Sequence, residues 1–211
     1  MSGGADSTAL LLHAAATHTP SALVALAIDH GTRVATAAER ARIAGLAQRL
    51  GIAFRTLTVQ PKGHGHAHWR AARLEALVGF CRDHGLARLW LGQHGDDAIE
   101  TAAIRLLAGG PLEGLAGISA ARSVDGVRIE RPLLDRSARD LRRGLMAAGV
   151  GWAEDPSNRN PAYKRSAVRR VLNAPLPDRV GTQAQARDAE RVRRIARWRM
   201  ARERLEAEAW A

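Results

Sequence analysis

The residues best suited to chemistry open the chain: Ser2-Gly3-Gly4-Ala5-Asp6-Ser7, followed at once by the apolar run 9–12. Two adjacent glycines ahead of a helix let the backbone bend sharply and approach an anion closely. The hydroxyls of Ser2 and Ser7 and the N–H groups of the turn and helix start then form a concave donor surface for phosphate or pyrophosphate. The stretch is neither a Walker loop nor a dinucleotide fingerprint, since it lacks the lysine of the first and the glycine spacing of the second. An ordinary Gly-Gly turn with Asp6 or Ser7 as helix cap fits the same six residues.

A second cluster, His94-Gly95-Asp96-Asp97-Ala98-Ile99-Glu100-Thr101, carries more information. It runs from a strand end into a helix predicted over 98–107, which puts Asp96 and Asp97 at the positive end of that helix and Arg105 two turns further on. Adjacent carboxylates beside phosphates suit a magnesium ion, which takes carboxylate, water and phosphate oxygens. His94 and Arg105 are candidates to offset charge developing on an α-phosphate. The competing reading is a helix capped by Asp96 with Arg105 on its solvated face.

These residues need a scaffold that collects them. Helix patterns at 7–17, 36–50 and 69–84 alternate with strand-like runs at 22–28, 54–59 and 88–92. Such alternation implies βαβ units, a parallel sheet and helices on both faces. Ligands bind such sheets at the carboxyl ends of the strands, and Asp29-His30-Gly31 and Gln93-His94-Gly95-Asp96-Asp97 both follow strands. A phosphate loop should itself follow a strand, yet Met1 stands directly before Ser2. A sheet lacking that central strand would leave edges unpaired, so low stability is expected. Further on come a glycine-rich loop at 107–118, a strand at 127–134 ending around Pro132, and a helix at 137–148 with Ser137 as cap and Gly149 as stop. A turn-rich loop at 152–158 precedes the basic pairs Lys164-Arg165 and Arg169-Arg170.

Composition narrows the class. No run reaches the roughly 18 to 20 apolar residues of a membrane span, and no secretory leader pattern opens the chain, so a cytoplasmic protein without a membrane partner is expected. Cys81 is the only cysteine, which rules out an internal disulfide or a paired-cysteine zinc site within this sequence. The formal charge is +11, and residues 122–211 carry 21 of the 32 basic residues but only 12 of the 21 acidic ones. Arginine pairs bidentately with phosphate, so a basic second half beside a nucleotide-type first half suggests a polyanionic second substrate.

Taken together, these motifs resemble the tRNA(Ile)-lysidine synthase family, within the PP-loop (N-type ATP pyrophosphatase) superfamily. The resemblance runs from Ser2 to about Leu172. It rests on Ser2–Ser7, Asp29-His30-Gly31-x-Arg33, Trp69-Arg70-x-x-Arg73, the cluster Gly92 to Thr101, Gly114-Leu115-x-Gly117 leading to Arg131-Pro132-Leu133-Leu134, and Trp152-x-Glu154-Asp155-Pro156-Ser157-Asn158. It implies an α/β, adenine-nucleotide alpha-hydrolase-like (PP-loop) domain at 1–175 and a charged linker-type helix at 176–211, with the C-terminal tRNA-binding domains common in the family absent from this sequence. It implies ATP as substrate, with magnesium, free L-lysine and a CAU-anticodon tRNA(Ile) as partners, and it leaves room for a homodimer. The implied reaction adenylates C2 of the wobble cytidine and then lets lysine displace AMP to give lysidine. Ser2, Gly3, Gly4, Ala5, Asp6 and Ser7 would hold the ATP phosphates. Asp29, His94, Asp96, Asp97 and Arg105 are the candidates for magnesium, lysine and α-phosphate contacts, with Asp96 and Asp97 for the metal. The alternatives are a 2-thiocytidine-type PP-loop enzyme, whose members typically use paired cysteines, and an inactive RNA-binding fragment.

Overall fold

A computed structural model describes residues 1–29, 35–60, 63, 65–109, 118–154 and 167–169. The charged run at 176–211, the glycine-rich segment 110–117, Arg33, Asp155 to Asn158, Lys164-Arg165 and Arg170 lie outside the described residues. The chain falls into two compact units. The first comprises Met1–Gly92, Arg122–Glu130 and Ala138–Glu154; the second comprises Gln93–Ala121, Arg131–Ser137 and Asp155–Ala211.

In the first unit the expected alternation is realised. The order is α1 (Ala5–Thr17), a short 3-10 turn (Pro20–Ala22), β1 (Val24–Asp29), α2 (Ala35–Arg49), β2 (Ala53–Thr58), α3 (His66–Asp83) and β3 (Arg88–Trp90). β1 and β2 pair in parallel in the register Val24 to Ala53 through Asp29 to Thr58. The side chains of β1 alternate as a strand covered on both faces must. Val24, Leu26 and Ile28 join Leu77, Val78 and Cys81 of α3 and Leu89 of β3 in one core. Leu23 and Ala25 join Leu11 of α1 and Ile43, Leu46 and Ala47 of α2 in another. Helices therefore lie on both faces, as the sequence predicts.

The strands form two hydrogen-bonded sheets, β1-β2 and β3-β5-β4, with β4 at Ala121–Val124 and β5 at Val127–Glu130. β3 pairs with β5 in parallel, Leu89 lying opposite Ile129. No strand precedes α1 among the described residues, and the Met1 amino group donates to Leu26 O on β1. Burial, with Arg73 adding repulsion, lowers the pKa of that amine to about 6. β5 ends at Glu130, so the strand expected over 127–134 is half as long. The sequence pattern does not reveal β4. It is joined to β5 by Asp125-Gly126, both at positive φ (48° and 81°), the backbone of a type I′ hairpin turn.

α5 (Ala138–Ala147) packs Leu141 and Leu145 inward and runs against α1. In the second unit α4 (Gly95–Leu107) starts three residues earlier than expected, so Asp96 and Asp97 lie inside its first turn and His94, not Asp96, is the N-cap. Among the described residues no helix is long and apolar enough to cross a membrane.

Candidate active site

The phosphate-type loop is closed by its own hydroxyls. Ser7 Oγ donates to Gly4 O at 3.0 Å and lies 3.2 Å from Ser2 Oγ, while the Ser2 N–H donates to Ser7 Oγ at 3.3 Å. Gly4 is the N-cap of α1, so Ala5, Asp6 and Ser7 form its first turn and direct backbone N–H groups out of the helix end. Gly3 has φ +80°, which a residue with a side chain adopts only under strain, and a Cβ there would lie 3.4 Å from Glu39 O. At the end of β3, a Cβ on Gly92 would lie 3.2 Å from Asp6 O. That glycine lets the strand end abut the helix start. A third support comes from far along the chain, where the Ala153 N–H donates to Gly3 O at 2.9 Å. The loop at 152–158, whose composition suggests surface, is thus fastened to the phosphate loop at its near end. Trp152 Nε1 donates to Glu154 Oε1 at 2.9 Å beside it.

Asp29, the last residue of β1, sits at the carboxyl edge of the β1-β2 pair. Its carboxylate is 2.7 Å from Arg40 Nη1 of α2, and its carbonyl accepts from the Val59 N–H. Arg40 is a partner of Asp29 that the sequence does not single out, because a helix arginine looks like any solvated one until its partner is placed.

The second cluster is built from side chains. His94 is 3 % exposed, with Nε2 3.6 Å from Asp97 Oδ2 and Nδ1 3.9 Å from Asp96 Oδ2. Asp97 also accepts from the His94 backbone N–H at 3.2 Å, reaching back from the third helical position to the N-cap. Asp97 is 17 % exposed and Asp96 43 %, so Asp96 is the carboxylate more open to a ligand. His94, Asp96 and Asp97 are brought together as expected. Arg105 is not: it lies exposed in the last turn of α4, about 12 Å along the axis from Asp97 at 1.5 Å per residue. Among the described residues no group of three or more His, Cys, Asp or Glu side chains is arranged to hold a metal ion. Two carboxylates at a helix N-terminus nonetheless fit magnesium, which needs only one or two protein carboxylates when phosphates supply the rest.

Two further side chains complete this region. Glu100, on α4 one turn beyond Asp97, is 3 % exposed and accepts two bonds from Arg169, Nε to Oε1 at 2.6 Å and Nη2 to Oε2 at 3.1 Å. Arg169, a member of one of the basic pairs seen in the sequence, is engaged by a buried carboxylate. Arg131 is buried, donating from Nε to Gln93 Oε1 at 2.5 Å and from Nη1 to Ser119 O at 2.8 Å. The Gly95 N–H donates to Arg136 O at 2.8 Å, and His94 bridges to Leu133 in parallel fashion. The Arg131-Pro132-Leu133-Leu134 motif therefore braces the start of α4.

Cys81 is 2 % exposed inside the α3 core, and burial raises its thiol pKa. A buried, protonated thiol is a poor nucleophile, so the single cysteine is a packing residue.

Comparison with known proteins matches this arrangement. A family model of the PP-loop domain matches residues 1–176. The tRNA(Ile)-lysidine synthase of Methylobacterium sp. (strain 4-46) is 37% identical over 197 residues, covering 92% of this chain and 57% of that protein. The enzyme of the same name from Novosphingobium aromaticivorans is 40% identical over 177 residues, covering 82% and 54%, and that from Bordetella parapertussis is 38% identical over 205 residues, covering 93% and 59%. The chain thus spans little more than half the length of these relatives. In fold it is similar to the U34-tRNA thiolase NcsA from Methanococcus maripaludis, with a TM-score of 0.68 at 16% identity over 92% of this chain and 71% of that one. With a glycine-bent phosphate loop at a helix start, a parallel α/β scaffold and a family match over residues 1–176, the chain belongs to the PP-loop family.

Proposed function

We propose that this chain forms the catalytic part of a tRNA(Ile)-lysidine synthase, with residues 1–175 as the catalytic domain and 176–211 as a linker helix. Its reaction is the ATP-dependent ligation of free L-lysine to C2 of the wobble cytidine in a CAU-anticodon tRNA(Ile). The observation that carries this reading is identity of 37–38% to lysidine synthases over 92–93% of the chain, beside a PP-loop family match over residues 1–176 that takes in both polar clusters.

The chemistry divides into two displacements. The cytidine C2 carbonyl oxygen attacks the α-phosphate of ATP, and the bond to the β-phosphate breaks with release of pyrophosphate. The lysine ε-amine then attacks C2, the C–O bond to the adenylate breaks, AMP leaves, and one proton departs from the new C–N nitrogen. Ser2, Gly3, Gly4, Ala5, Asp6 and Ser7 hold the phosphates through the backbone N–H groups and hydroxyls of the loop. Asp96 and Asp97 are the groups that would hold magnesium, which when bound neutralises phosphate charge. His94 is assigned to charge on the α-phosphate, and Asp29, oriented by Arg40, to the remaining polar contacts of nucleotide or lysine, while Arg105, exposed in the last turn of α4, is assigned no contact there. A carboxylate near the amine accepts the proton. The cytoplasm is the compartment this reading assigns, and the reading is compatible with a homodimer, which sedimentation velocity tests.

The experiment is mass spectrometry of a CAU-anticodon tRNA(Ile) after incubation with the chain, ATP and isotope-labelled lysine. A mass gain of one lysine residue on the wobble cytidine, with one AMP and one pyrophosphate released per event, is expected. ATP cleavage without lysine incorporation would overturn the substrate assignment, and RNA binding without ATP turnover would favour an inactive RNA-binding fragment.

A further inference from the structure

We propose that an arginine-rimmed cavity between α2 and the segment after α5, continued by the outer face of α5, is a docking surface for the sugar-phosphate backbone of the RNA substrate. It rests on the reading of the chain as a tRNA-modifying enzyme and assigns that enzyme an RNA-contacting face.

The cavity measures about 210 Å³. Thr8, Ile43, Leu46 and Val150 line it together with backbone at Gly3, Gly149 and Gly151, and Arg42 and Arg49 complete its wall. It is smaller than the roughly 300 to 1,000 Å³ of a typical small-molecule site, so it suits one residue of a longer ligand better than a free cofactor. Arg42 and Arg49 are both exposed and stand seven residues apart on α2, which returns them to one face about 10 Å apart along the axis. Two guanidinium groups at that separation can engage separate phosphates of one strand.

The opposite wall is the C-terminal cap of α5. The Gly149 N–H donates to Met146 O and the Val150 N–H to Leu145 O, both at 3.0 Å, so the residues lining the cavity continue directly from the helix. α5 turns Leu141 and Leu145 inward and leaves Arg139, Arg142 and Arg143 exposed. Spacings of three and four residues put 139, 142 and 143 on one side of the helix. Arg143 is 74 % exposed and has Asp140 at 3.2 Å. Five arginines thus border one segment, with Asp140 beside Arg143 and Glu39 beside Gly3. So uneven a field repels itself in isolation and is relieved by a polyanion. RNA backbone supplies regularly spaced negative charge and tolerates a partly exposed, sequence-blind surface, which suits arginines that are not locked into buried ion pairs.

The test measures binding of a CAU-anticodon tRNA(Ile) transcript to the full chain by fluorescence anisotropy at several salt concentrations. The variants are Arg42→Glu with Arg49→Glu, and Arg142→Glu with Arg143→Glu. A control pair, Arg82→Glu with Arg88→Glu, lies on α3 and β3. Each docking-face pair is expected to weaken binding at least about 10-fold and to reduce the log–log salt slope by about 2, one for each phosphate that is no longer neutralised; the control pair stays within 2-fold. The milder Arg→Gln pairs should fall between, and hydrogen exchange over 139–151 should slow when tRNA is added to the unaltered chain. Circular dichroism distinguishes an unfolded variant from a folded one that binds weakly. Unaltered tRNA affinity in both docking-face pairs, or a parent chain that binds no tRNA, overturns the docking surface. A parent chain that binds tRNA through these arginines yet forms no lysidine leaves the surface standing and removes the proposed reaction instead.

Discussion

The loop at Ser2 to Ser7 and the helix start at His94 to Glu100 are both polar helix starts, built from different materials. In the loop the supports are backbone: a positive-φ glycine, a carbonyl tied to the Ala153 N–H, and a strand end that approaches only because Gly92 lacks a side chain. Around α4 the supports are side chains in contact with one another, His94 with Asp97, Glu100 with Arg169 and Arg131 with Gln93. A backbone site offers fixed dipoles and is insensitive to protonation. A side-chain site can carry, exchange or shed charge, and it depends on every partner being in place.

That contrast predicts opposite mutational profiles. The largest effect belongs to Arg169→Ala, which strips two charge-assisted bonds from a carboxylate that is 3 % exposed. Loss of one partner of such a pair costs several kcal/mol when fully buried, and with Arg169 half open to water we expect about 2 kcal/mol. At this chain length that lowers the melting temperature by about 4–8 °C, and Glu100→Gln with Arg169→Gln should recover part of it. A melting curve for Arg169→Ala that overlays the parent would show the pair to be incidental.

Next in size, Gly92→Ala sets a methyl group 3.2 Å from the Asp6 carbonyl, and Gly3→Ala holds alanine at φ +80°. Each should raise the KM for ATP about 10-fold, and for Gly92→Ala, which unlike Gly3 does not line the arginine-rimmed cavity, tRNA affinity should stay within 2-fold. Loss of tRNA affinity to the same extent would mean that the loop is not a nucleotide site.

The smallest effect is Ser2→Ala. Its hydroxyl makes partly exposed, neutral bonds within the loop, worth about 1 kcal/mol or less, so the KM for ATP should rise no more than about 5-fold. If this serine variant is hurt more than the glycine variants, the loop is not built from backbone in the way described.

Much of this architecture is legible in the sequence because it is periodic. Helices and strands of the first unit begin and end within a few residues of their predicted bounds, since apolar alternation and glycine stops are local signals. β4 escapes because Ala121-Arg122-Ser123-Val124 is too short and polar to register as a strand, although Asp125-Gly126 is a strong hairpin signal. The two polar clusters are visible as residue types, and Asp96 and Asp97 do flank His94. Their bracing is not visible: the Glu100 to Arg169 pair spans 69 positions, and no spacing rule distinguishes a guanidinium held by a buried carboxylate from one facing solvent. The same difficulty hides Arg40 beside Asp29.

The bond from the Ala153 N–H to Gly3 O also has a meaning in time. One of the loop's three supports lies 150 positions later in the chain, so the ribosome makes the loop well before that support. At roughly 5–20 residues per second, about 8 to 30 seconds separate the two. The loop is therefore locked well after it is synthesised, and if it is the ATP site proposed above, ATP added to a nascent chain should bind firmly only after residue 153 has left the exit tunnel.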